Sequence, residues 1–96
     1  MQMVMVVYNE ALDDEVMEAL GACGLKNYTK IPGVFGAGAS SGTHLGNDIW
    51  PGRNNILYVA CAEAKAKSLL SAISDLKQQF PAEGIKAFDL PLGDTL

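Results

Sequence analysis

Two stretches of this chain are apolar at nearly every position, and they constrain its fold more than any other feature. Met1 to Tyr8 and Ile56 to Cys61 lack the in–out alternation of a strand with one wet face. An extended segment apolar on both sides is one buried on both sides. The two are read as the central strands of a sheet, and the rest of the chain has to supply their cover.

Two helices offer that cover. After the first strand, Asn9 is a plausible N-cap, and Glu10, Asp13, Asp14 and Glu15 place negative charge where a helix dipole favours it. Leu12, Val16, Ala19, Leu20 and Cys23 recur at helical spacing, and Gly24 supplies a left-handed stop. The acidic group with Glu18 is explained at this level by the dipole and by solvation. A second helix carries Ala66, Leu69, Leu70, Ile73, Leu76 and Phe80 on one face, and Pro81 and Gly84 end it. Asn27 to about Val34 forms a second strand, where Pro32 requires an edge position or a change of direction. Ile85 to Leu90 forms a fourth, followed by a short tail.

The order is strand, helix, strand, strand, helix, strand. It predicts an α+β domain of the ferredoxin-like βαββαβ kind, an antiparallel sheet with both helices on one face, spanning residues 1–96 as a single domain. Two helices cover only one sheet face. The other face remains apolar, beyond what a soluble monomer usually exposes, so copies are expected to associate face to face. The competing expectation is that the long loop or the tail folds back over it.

Composition excludes several classes. A net charge of -4 with scattered lysines does not suit nucleic acid, which needs a basic stripe. No apolar run is long enough to insert in a membrane, and the N-terminus lacks the basic start of a signal peptide. Cys23 and Cys61 form no CxxC pair and occupy core-like positions, as expected of reduced thiols in a cytoplasmic protein. No nucleophile, base and orienting acid cluster in the sequence, so an enzyme is not expected.

Chemistry concentrates between the second and third strands. Gly33 to Asn55 is rich in glycine and holds the chain's single His44, Trp50 and Arg53. Loops of this length are usually functional or disordered. Three readings stay open. Glycine-rich backbone can direct N–H groups at an anion or nucleotide, with Arg53 or Lys30 supplying charge. His44 and Asp48, four apart, can each give one metal ligand. Finally, the loop can simply pack on a neighbour through Trp50.

The run Ala19 to Leu25, followed by Tyr28-Thr29-Lys30-Ile31-Pro32-Gly33-Val34-Phe35-Gly36, resembles the nitrogen regulatory P-II superfamily at the base of its T-loop. Ser41 to Gly46, Trp50-Pro51 and Gly84 to Phe88 resemble a P-II-like subgroup associated with heavy-metal efflux genes. The resemblance implies a homotrimeric signalling protein that binds a small effector between subunits. Its T-loop, here about 36–53, contacts a transporter, efflux pump, enzyme or regulator. The ligand residues would be Thr29, Gly33, Gly36 and Arg53. The partner-facing residues would be Ser41, Thr43, His44 and Trp50. The resemblance implies a small effector, often an adenine nucleotide; a divalent or transition metal ion held by His44 and Asp48 is the other expectation, and the sequence does not identify which ligand is bound. The alternative is a CutA-like metal-binding protein. Departures from the P-II pattern are the wider Gly33–Gly36 spacing, Gln79 to Gly84 in place of the nucleotide-binding run after the second helix, and no tyrosine between Gly33 and Asn55.

Overall fold

β1 (Gln2–Asn9) is flanked on both sides, by β3 (Arg53–Cys61) and by β4 (Ile85–Pro91), and β2 (Thr29–Phe35) lies at the far edge beyond β3. The computed structural model describes residues 1–36 and 53–96. Sheet order is β2-β3-β1-β4, with antiparallel neighbours throughout. The helices α1 (Asp13–Ala22) and α2 (Glu63–Gln79) make the two crossovers of a ferredoxin-like α+β fold. The strands expected to be central are central.

Register decides which side chains meet the helices. Val4 pairs with Val59, Val6 with Leu57, and Tyr8 with Asn55 and with Ile85. These positions alternate on one face of the pleat. They pack under Leu12, Val16 and Leu20 and under Ala66, Leu69, Ile73 and Leu76, which form the buried core. Leu70, Phe80, Ala19 and Cys23 are only partly buried at its margin.

Helix ends follow local chemistry. Gly24, at φ +73, closes α1 in the left-handed conformation. Its N–H donates to the Gly21 carbonyl at 2.9 Å, and the Leu25 N–H donates to that of Leu20 at 3.1 Å, the paired bonds of a Schellman stop. The Lys65 ammonium adds a bond to the Cys23 carbonyl at 2.8 Å, tying α2 to this end.

Three boundaries differ from the sequence-based expectation, one of them the start of β2, at Thr29 rather than Asn27. A 3-10 turn, Glu10–Leu12, precedes α1, and the Asn9 side chain caps that turn by accepting from the Ala11 N–H at 2.9 Å. This tighter entry places Asp13 2.6 Å from the buried Tyr8 hydroxyl, which needs a partner. β3 starts at Arg53 rather than Ile56, because ladder pairing to β1 and β2 continues through the polar Asn54 and Asn55. β2 continues past Pro32 to Phe35 by a bulge, with Pro32 and Gly33 together opposite the single Asn55. Both expectations for Pro32 thus hold at once: edge strand and change of direction.

The second sheet face is apolar and only partly covered by the described residues. Met3, Met5, Val7, Ile56 and Tyr58 are half-buried there, while Ile31, Phe88 and Leu90 are exposed at 41%, 44% and 47%. The tail leaves Phe88 and Leu90 open.

Candidate functional site

Where β2 leaves the sheet and β3 returns, a polar cluster interrupts the core. Asn55 is the one buried polar residue among those described. Its side-chain oxygen accepts the Gly33 N–H at 3.2 Å, and its amide donates to Asp13 Oδ1 at 3.3 Å. Asp13 also accepts from the Tyr8 hydroxyl at 2.6 Å and pairs with Lys30, whose ammonium lies 2.8 Å from Oδ1 and 3.1 Å from Oδ2.

These contacts follow from the folding of each segment. Pro32 has no N–H, and the bulge removes Gly33 from the regular ladder. The orphaned Gly33 donor is taken by Asn55, whose burial would otherwise be costly. Gly33 sits at φ +67, a conformation glycine enters at little cost. Gly36 ends the described part of β2's exit, and a Cβ there would approach Asn54 Nδ2 at 3.2 Å.

The electrostatics of the cluster have a definite sign. Burial alone raises the Asp13 pKa. The hydrogen bonds from Lys30 and Tyr8, the Lys30 charge and the Asn55 amide outweigh it and hold the carboxyl below the usual carboxylate range. Burial, reinforced by the bond to Asp13, keeps the Tyr8 hydroxyl protonated far above its ordinary titration range. Because the folded Asp13 pKa is depressed, its charge stabilises the fold above the unfolded carboxylate pKa. That contribution is lost as pH falls through the lower, folded value. Denaturant midpoints measured against pH for the protein and for Asp13→Asn should therefore differ at neutral pH and converge in acid. A constant gap across the range would contradict this.

The residues expected to bind ligand divide between the two ends of β2. Gly33 and Gly36 are at the root, with Arg53 exposed opposite Phe35. Thr29 is at the other end, opposite Tyr58 on the open face. There it lines a shallow depression with Met3, Asn27, Tyr28, Tyr58 and Ala60. Ser41, Thr43, His44, Asp48 and Trp50 lie outside the described residues, so neither the metal pair nor the partner-facing set is located. Among the described residues no three His, Cys, Asp or Glu side chains gather as a metal site, and no helix is long and apolar enough to cross a membrane.

Sequence reasoning misses Asp13 and Asn55. It assigns Asp13 to the helix dipole, whereas the carboxylate faces Tyr8, Lys30 and Asn55. It places Asn55 as the last residue of the loop, whereas Asn55 belongs to β3. An asparagine just before an apolar strand and opposite a Pro-Gly pair is the available signal, and it needs the pairing register to be recognised. Both cysteines are free. Cys61 is buried, and burial followed by the nearby Asp89 charge pushes its thiol pKa up. Cys23 is only half-buried.

Comparison with known proteins agrees with this architecture. No curated protein matches the chain. Among solved structures it is similar to a PII-like signalling protein from Thermus thermophilus, at 24% identity and a TM-score of 0.66, covering 92% of this chain and 81% of that one. It is also similar to CPII, a nitrogen regulatory PII-like protein from Thiomonas intermedia, in a structure bound to ADP, AMP and bicarbonate. That match has 16% identity and a TM-score of 0.66, covering 99% of this chain and 94% of the other. The apo form of CPII gives 14% identity and the same TM-score of 0.66, covering 98% and 92%. At these identities the structures establish a shared fold. The sequence model of the family Nitrogen regulatory protein P-II matches residues 1–95, and the chain belongs to that family.

Proposed function

We propose that this chain acts as a homotrimeric PII-like signalling protein, not an enzyme, that takes an adenine nucleotide at the boundary between subunits and contacts a partner through residues 36–53. The observation that carries the reading is the division of the expected ligand residues along β2. Thr29 and the Phe35–Arg53 pair are six strand residues apart, roughly 20 Å. One small ligand does not touch both ends within a single copy. In the proposed trimer the root of one copy meets the Thr29 depression of the next. Tyr28 and Tyr58 offer aromatic surface to a purine there, and Arg53 offers charge to a phosphate. The ADP and AMP held by CPII support this effector class.

Calorimetric titration with ATP, ADP and AMP, with and without bicarbonate, tests the reading. At least one nucleotide should bind with one site per subunit, and Arg53→Ala should weaken it about tenfold or more, the scale of one charged hydrogen bond. No binding by any of the three would overturn it. Titration with Cu²⁺, Zn²⁺ and Ni²⁺ decides the CutA-like and metal-efflux alternative, which requires tight metal binding that His44→Ala abolishes.

A further inference from the structure

We infer that Asp13 is a positioning residue for the root of the excursion, holding Asn55 so that Asn55 holds Gly33. The inference goes beyond nucleotide binding and concerns the ligand-free protein. A side-chain amide has one accepting and one donating end, and buried in isolation it has no reason to prefer either orientation. An ionised carboxylate only accepts. With Asp13 Oδ1 at 3.3 Å from the Asn55 amide nitrogen, the NH₂ end must face Asp13 and the oxygen must face the Gly33 N–H.

Lys30 and Tyr8 fix the carboxylate in turn. Lys30 bridges both of its oxygens, and Tyr8 is anchored in the core at 0% exposure. The chain of contacts runs from the start of α1, through Asn55 on β3, to the bulge of β2. Its far end is a backbone donor that the sheet ladder does not hold. The course of β2 after Gly33 is thus set by a residue 20 positions earlier that makes no hydrogen bond to Gly33 itself.

Amide hydrogen exchange followed residue by residue provides the test. In Asp13→Ala, the Gly33 amide should exchange about five- to tenfold faster, the scale of one lost hydrogen bond. The Val4 and Val6 amides of the central strand should stay protected. Asn55→Ala should accelerate Gly33 to the same degree, and the double variant should add nothing more, since both act through one contact. Asp13→Leu, close in size but without an accepting atom, should act in the same direction and serves if Asp13→Ala does not fold. Unchanged Gly33 exchange in both Asp13 variants would overturn the inference. So would equal acceleration at Val4 and Val6, or multiplicative effects in the double variant. Because the readout is taken without ligand, its failure is separate from failure of the nucleotide reading.

Discussion

If the protein assembles as the proposed trimer of 10.2 kDa subunits, Phe88→Asp should convert it into a monomer, as read by light scattering coupled to size exclusion. Phe88 lies on the open sheet face, opposite Met5, and is 44% exposed within the subunit. Its replacement therefore costs the isolated fold little. In a trimer closed through this face the same residue is buried, where a large apolar side chain contributes about 1.5–3 kcal/mol. Every copy would lose that contribution at once and would instead confine a carboxylate beside the partners' carboxylates. Uncompensated buried charge is more costly than the lost apolar contact. A variant that retains the parent mass would show that the open face is not the contact. A parent protein that is itself a monomer at micromolar concentration would remove the trimer and, with it, the subunit-boundary site.

Leu69→Ala should produce the largest loss of subunit stability. Leu69 is fully buried where α2 meets the sheet. Emptying such a site removes the transfer free energy of the side chain and leaves a cavity that neighbours fill only in part, at about 2–5 kcal/mol. Domains have roughly 5–15 kcal/mol in total, so the thermal midpoint should drop by roughly 10 °C or more. A loss under about 1 kcal/mol would mean that the core collapses around the gap. If the trimer forms, the parent's midpoint should also rise with protein concentration, because association favours the folded state. Phe88→Asp should abolish that dependence.

The parts of the fold legible in the sequence share one property. Each rests on contacts repeated at short sequence separation. The helix carrying Val16 and Leu20 and the helix carrying Leu69 and Ile73 declare themselves by spacing, and Gly24 declares the stop of the first. The missing alternation in Met1–Tyr8 and Ile56–Cys61 identifies the central strands, and the order of elements then allows few topologies. The same lack of alternation points to an unsatisfied apolar face, and the exposed Ile31, Phe88 and Leu90 lie on it. The bulge is half legible, since Pro32 cannot donate to a ladder, but its partner is not.

The candidate site depends on information of another kind. Asp13 meets Tyr8 from 5 positions away, Lys30 from 17 and Asn55 from 42. None of these separations leaves a local pattern, and an aspartate in a first helical turn looks the same whether it faces water or a buried hydroxyl. Sequence alone determined the elements, their order and the apolar second face, because burial imposes periodicity residue by residue, and its residue runs carried the family resemblance. Only the tertiary structure decided that Thr29, opposite Tyr58, opens onto a depression lined by Met3, Tyr28 and Ala60. It alone decided, too, that a carboxylate from α1 controls the asparagine holding that root. Hydrogen bonds and ion pairs are set by the approach of atoms in space, and sheet register is what brings these atoms together.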